Sequence, residues 1–189
     1  MIFDPFPKIS RLSRECVITE KIDGTSGTIF IDDSGGLLVG SRNRWVTPEA
    51  DNYGFAKWAL GNREELLKLG PGWHRGEWWG SGIQRRYGLN EKRFSLFNVL
   101  RWVDSHEPGA SEVQDREVAP HCCHVVPILV RGIFDTGVIE DTLGILAEFG
   151  SRAAPNFMQP EGIVIYHTAA KVLFKKTIVG DEKLKGSNE

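Results

Sequence analysis

The chain has few of the features that would place it in a specialised class at once. Its three cysteines are an odd number with no CxxC spacing. They make no disulfide framework and point to free thiols in a reducing, cytoplasmic setting. No apolar run approaches the roughly 18 residues that a membrane span needs. Met1-Ile2-Phe3-Asp4-Pro5 is not a basic segment leading into an apolar one, so no signal peptide is expected. There is no excess of positive charge either: the net charge is −2, so no bulk basic field announces a polyanionic partner. Basic groups occur instead in patches: Arg42 with Arg44, Arg85-Arg86, Arg93, and Lys171, Lys175 and Lys176. No internal repeat is visible. What the chain has is 41% apolar and 25% charged residues over 189 positions, the balance of one globular domain with a real core.

The pattern along the chain is mixed. Residues 1–14 read as an irregular lead-in packed on the body. Apolar runs at 15–22, 27–32 and 37–41, separated by glycine-rich turns, predict three strands in an antiparallel meander. Thr47-Pro48-Glu49 has a capping hydroxyl, a proline and an acid, and predicts a helix from there to about Leu60. A second helix follows near 62–69. Strands are expected at 73–80, 93–100 and 124–130, a helix at 138–149 closed by Gly150, and a final hairpin at 161–167 and 171–177. The polar tail from Gly180 is expected to be mobile. The fold class is therefore α+β, antiparallel strands interrupted by helical segments.

The stretch with most chemical content is Thr19-Glu20-Lys21-Ile22-Asp23-Gly24-Thr25-Ser26-Gly27. Lys21 and Asp23, two apart on a strand, share a face, beside a turn whose glycines allow close approach to the backbone. A lysine so placed serves as a nucleophile, an anion binder or a plain surface charge. As a nucleophile it must lose its proton, since a free lysine titrates near 10.4, and desolvation or a neighbouring cation brings this about.

Other segments weigh on the choice. Gly40-Ser41-Arg42 follows a strand, Gly76-Glu77 and Phe94-x-x-Phe97-Asn98-Val99 lie in strands, Glu161-Gly162-Ile163-Val164 opens the last hairpin, and Lys175-Lys176 closes it. This order resembles the covalent nucleotidyltransferases: RNA ligases, ATP-dependent DNA ligases and mRNA capping enzymes. Lys21-Ile22-Asp23-Gly24 is similar to their motif I, Gly76-Glu77 to motif III, Phe97 to motif IIIa, Glu161-Gly162-Ile163-Val164 to motif IV, and Lys175-Lys176 to motif V. The likeness is greatest to the RNA ligases, in Glu20 to Ser26 and in Gly40-Ser41-Arg42.

The resemblance implies antiparallel sheets flanked by helices around a nucleotide cleft, the ATP-grasp-like nucleotidyltransferase domain of ligases. The match spans residues 20 to 176, and residues 1–189 are expected to form one domain with no C-terminal OB-fold, a partner protein being one expected substitute for that fold. Only 20 residues precede Lys21, which favours ATP over NAD as the nucleotide. Lys21 would form lysyl-AMP, aided by Asp23, Lys175 and Lys176. Glu20, Ile22, Gly24, Arg42, Glu77, Phe97 and Glu161 would bind the nucleotide, and Glu161 would hold Mg²⁺ or Mn²⁺. Arg42 and Arg44 would contact RNA ends, nicked duplexes among them. The expected setting is intracellular, a phage being one source of so small a ligase. DNA nick sealing, GTP-dependent guanylyl transfer and a non-catalytic module holding nucleotide or RNA ends are the alternatives.

Five details are open at this level. Motif V usually reads Lys-x-Lys, and adjacent strand residues face opposite ways, so only one of Lys175 and Lys176 aims at phosphate; spacing to Phe174 favours Lys175. Phe94 and Phe97 are likewise expected on opposite sides, one in the core and one against a base. Trp73, Trp78 and Trp79 are expected in core or rim packing. His121-Cys122-Cys123-His124 has metal-binding residue types, but four consecutive residues do not converge easily on one ion. Arg85-Arg86 reads as a solvated loop or a phosphate contact.

Overall fold

A computed structural model describes residues 2–181. The polar tail expected to be mobile lies outside these from residue 182 on. The strands are β1 (Glu15–Lys21), β2 (Thr25–Ile31), β3 (Leu37–Gly40), β4 (Gly72–Gly80), β5 (Lys92–Leu96), β6 (Trp102–Val103), β7 (Glu117–Val118), β8 (His124–Val125), β9 (Ile128–Ile133), β10 (Gly162–His167) and β11 (Val172–Thr177). The α-helices are α1 (Phe55–Gly61), α2 (Arg63–Leu67) and α3 (Thr136–Phe149). The expected α+β class holds, with two antiparallel sheets dominating and parallel pairing confined to β5–β8 and β6–β7.

One expectation fails in a way that matters. β1 and β2 do not pair. β1 lies inside a four-stranded sheet ordered β11-β10-β1-β9, and β2 inside a five-stranded sheet ordered β3-β2-β4-β5-β8. The meander of the first forty residues reduces to the β2–β3 hairpin. The physical reason is burial: Cys16 to Glu20 are buried without a break, so β1 is covered on both faces and reads as a central strand. The chain leaves it through Ile22, 4% exposed in the core, and crosses to the second sheet within three residues.

Other boundaries move for local reasons. The helix expected from Thr47 starts at Phe55, because Tyr53 and Gly54 both have positive φ (53° and 83°). The Asp51 carboxylate accepts from the Ala56 and Lys57 N–H groups at 2.7 and 3.1 Å and caps the helix from outside. The strand expected over 93–100 ends at Leu96. The one expected over 124–130 is two strands, β8 and β9, in different sheets. Helix α3 starts at Thr136, with the Asp135 carboxylate accepting from the Val138 N–H, and ends at Gly150 as expected. The start of the lead-in does not pack on the body, since Ile2, Phe3, Phe6 and Ile9 are exposed; its end is tied down, the Leu12 carbonyl to His167 and the Arg14 carbonyl to the Phe134 N–H.

Two cores result. The larger lies under the five-stranded sheet and joins Ile29, Phe55, Trp78 and Phe94; of the tryptophans expected in core or rim packing, Trp78 and Trp79 are in the core and Trp73, 56% exposed, packs at the rim on Phe30 and Trp45. The smaller packs Ile139 and Leu146 of α3 against Ile18, Ile163 and Ile165. The two sheets leave a cleft between them.

Candidate active site

The cleft holds a cavity of about 1010 Å³. Its wall follows from the pleat. On β1, Val17, Thr19 and Lys21 face it; on β10, Val164 and Tyr166; on β11, Leu173 and Lys175; on β4, Trp73, Arg75 and Glu77; Phe97 closes one side. Most of these are spaced by two, as alternation leads one to expect, while Glu20, Ile22 and Phe174 border the cavity between them.

Lys21 is the last residue of β1, paired in register with Gly162. Its Nζ donates to Glu161 Oε2 at 2.5 Å, and both side chains are largely shielded. Asp23 was expected to share the face of Lys21. The strand ends at Lys21, so alternation does not reach it, and the Asp23 carboxylate instead accepts from Arg85 Nε at 2.9 Å. Arg85 also donates to the Gln159 carbonyl at 3.0 Å, and the Asp23 N–H donates to the Tyr87 hydroxyl oxygen at 2.8 Å. Burial raises the Tyr87 phenol, which keeps it neutral. The connection after Lys21 is thus fastened by side chains from residues 85 and 87.

Gly24 has a different purpose from the one its turn position suggests. A Cβ there would lie 2.5 Å from the Trp78 carbonyl oxygen and 2.7 Å from Trp79 Cβ. The glycine lets the crossing chain press against β4. Its N–H donates to Glu77 Oε1 at 3.1 Å. Burial pushes the Glu77 carboxyl up to about 7, against the pull of Lys21.

Glu20 borders the cavity too, but its carboxylate is engaged by the segment after α3. Its Oε1 accepts from the Ser151 hydroxyl at 2.5 Å, and its Oε2 from the Arg152 and Ala153 N–H groups at 2.7 and 2.9 Å. Burial raises this carboxyl and the three donors oppose the shift. The expected nucleotide contact from its side chain is therefore replaced by a structural one: it ties β1 to the segment after α3. The side chain of Ile22 likewise belongs to the core.

At the far side, Lys175 stands beside Val164 in register and lines the cavity. Lys176 stands beside Ile163 and pairs with Glu140 Oε1 of α3 at 2.9 Å. Phe94 is fully buried, whereas Phe97 is 44% exposed at the cavity wall. Arg42 and Arg44 do not line this cavity. They line a neighbouring one of about 510 Å³, which shares Trp73 and Arg75 with it.

The RNA ligase family model matches residues 14–188. The chain belongs to the RNA ligase family. Three solved structures of a Naegleria gruberi RNA ligase illustrate the shared fold. An apo variant is 25% identical, with a TM-score of 0.59, covering 87% of this chain and 50% of that one. A variant with AMP and Mn is 24% identical, with a TM-score of 0.60 over 88% of this chain and 50% of that one. A variant with ATP and Mn is 23% identical, with a TM-score of 0.61 over 88% and 50%. The chain spans about half the length of these structures. No curated protein matches it.

For this RNA ligase family member, Arg75 and the Arg85–Tyr87 pair were missed by sequence reasoning. Arg75 was legible: Trp73-x-Arg75-x-Glu77 places it on the face of Glu77. Arg85 and Tyr87 lie in a loop with no period, and their partner Asp23 is 62 and 64 residues from them. His121 and His124 do enter a polar cluster, with Asp104 and His106, not with the cysteines. Ligand atoms of Asp104, His106 and His124 lie within 4.8 Å of one another. Burial works to raise the Asp104 carboxyl, but hydrogen bonds from His124, His106 and the Val125 N–H outweigh it and lower it. The same bonds join the end of β6 to β8.

Proposed function

We infer that the chain is the adenylyltransferase domain of an ATP-dependent RNA ligase, with Lys21 as the residue that becomes covalently linked to AMP. The observation that carries the reading is the contact between Lys21 and Glu161, 140 residues apart in sequence, with Lys21 lining a cavity that Glu77, Phe97 and Lys175 also line.

The cavity supplies what the reaction needs. ATP would lie with its adenine on the exposed face of Phe97 and its ribose hydroxyls at Glu77. Lys175 would meet the charge that grows on the phosphoryl oxygens. Lys21 Nζ attacks the α-phosphorus, the bond to the β,γ-pyrophosphate breaks, and pyrophosphate leaves. The AMP is then passed to an RNA 5′-phosphate, and a 3′-hydroxyl displaces it to seal the strand. Asp23, held by Arg85, keeps the connection after Lys21 in place.

Glu161 is an oxygen donor in contact with the cavity-lining Lys21, which fits a Mg²⁺ or Mn²⁺ ligand. A divalent cation there would supply positive charge beside the lysine and the phosphates.

The test is sealing. 5′-phosphorylated RNA incubated with the protein, ATP and Mg²⁺ or Mn²⁺ should yield first adenylylated and then joined RNA. Equal use of GTP would sink the assignment to ATP, and preference for DNA ends would sink the assignment to RNA. Tight ATP binding with no transfer would support a non-catalytic module instead.

A further inference from the structure

Strand β4 carries Trp73, Arg75 and Glu77 on one face, about 7 Å apart. Glu77 stands at the catalytic end. Arg75 and Trp73 carry the same face outward, and together with Arg42, Arg44 and Trp45 they line the second cavity. Its wall contains three arginines and no carboxylate.

Its aromatic groups are arranged and exposed. Trp45 and Trp73 stack with centroids 5.6 Å apart and planes at 22°, and Phe30 supports Trp73 from the neighbouring strand at 4.8 Å. The Arg75 guanidinium lies 5.8 Å from the Trp73 ring. Trp45 and Trp73 remain 47% and 56% exposed, although Trp78 and Trp79 of the same region are fully buried. Burying such rings is favourable, so a stacked pair left in water beside three guanidiniums is a surface waiting for a flat partner. The two cavities share Trp73 and Arg75, and Trp73 lies about 13 Å along the strand from Glu77, so the platform continues the nucleotide cleft outward.

We propose that this second cavity binds unpaired nucleotides of the RNA strand leading to the reacting end, and so selects single-stranded ends over nicked duplexes. The inference rests on the RNA ligase reading and names its substrate class. Bases stack on the exposed tryptophan faces, and Arg42, Arg44 and Arg75 meet the flanking phosphates. A base inside a duplex is already stacked on both sides and paired, so it gains nothing from the platform. An unpaired base gains a stacking partner, worth about tenfold in affinity or more.

The experiment measures binding, not sealing. The full chain is titrated, without ATP, with a 5′-phosphorylated single-stranded RNA and with the same strand annealed into a nicked duplex, and tryptophan fluorescence is followed. The single strand should bind about tenfold more tightly and quench the emission, because Trp45 and Trp73 are the most exposed tryptophans. Trp73→Ala and Trp45→Ala should each weaken single-strand binding about tenfold and abolish the preference, and Trp73→Phe should restore part of it. Equal affinity for both RNAs, or single-strand binding without quenching, overturns the proposal whether or not the variants fold. So does duplex preference. Transfer of label from ATP to the wild-type protein separates the two readings: with label but no preference, the ligase reading stands and this one falls; without label, the ligase reading itself fails.

Discussion

At the scale of single residues, the site is a set of charges placed by the strand pleat. Lys21 and Glu20 are neighbours in sequence and face opposite ways, one to the cavity and one to the 151–153 segment. Lys175 and Lys176 repeat the pattern. Lys175→Ala should therefore slow covalent transfer from ATP by one to three orders of magnitude, in the manner of a lost electrostatic donor. Lys176→Ala should lose partly exposed ion pairs with Glu140 and Asp181, about 1 kcal/mol of stability, and leave covalent transfer intact; rapid-quench labelling and urea unfolding separate the two. Glu77 gives a pH prediction. Its folded pKa of about 7 lies above the unfolded value near 4.3, so between these values the folded state binds the extra proton and stability falls as pH rises. Glu77→Gln removes that loss. Relative to wild type it should gain up to about 3 kcal/mol at pH 8 and nothing from this source at pH 4, read from denaturant unfolding at both. The alternation that sorts these residues was visible in the sequence. The partner of Asp23 was not, because Arg85 comes from a loop 62 residues away.

At the scale of elements, the decisive feature is the crossing from β1 to β2. Two apolar runs around close glycines looked like a hairpin, and local pattern cannot tell a hairpin from a strand exchange between sheets. What decides it is non-local: β1 finds β10 and β9, and β2 finds β4. The crossing puts Lys21 at a strand end where two sheets part, which is why a cleft opens there. Gly24→Ala tests the tightness of the crossing. Its Cβ would meet backbone of β4 at 2.5 Å, so a loss of about 1–3 kcal/mol is expected, seen as a lower Tm. An unchanged Tm would mean the crossing has slack. Helix α1 shows the converse limit of sequence reading. The Thr-Pro-Glu signal at 47–49 was real chemistry at the wrong place, because positive φ at Tyr53 and Gly54 restarts the chain before the helix begins.

At the scale of the whole molecule, a net charge of −2 coexists with a cavity wall that carries Arg42, Arg44 and Arg75 and no acid. Polyanion binding should then be local and limited in its ionic component. Three phosphate contacts predict a log–log slope of about −2 for single-stranded RNA affinity against salt, and a much steeper slope would place the strand on additional basic surface. The α+β class and the order of the motifs were readable because strand patterns and short charged motifs are local. The two-sheet division was not, and neither was the second cavity, which joins β2, β4 and the 41–45 loop. The chain covers about half of the ligase structures it resembles, so what this half does alone is the central question. The direct measurement is peptide mapping by mass spectrometry after incubation with ATP and Mg²⁺ or Mn²⁺. The account predicts one added AMP, carried on Lys21 and absent from Lys21→Ala. AMP on another residue, or retained in that variant, would contradict it.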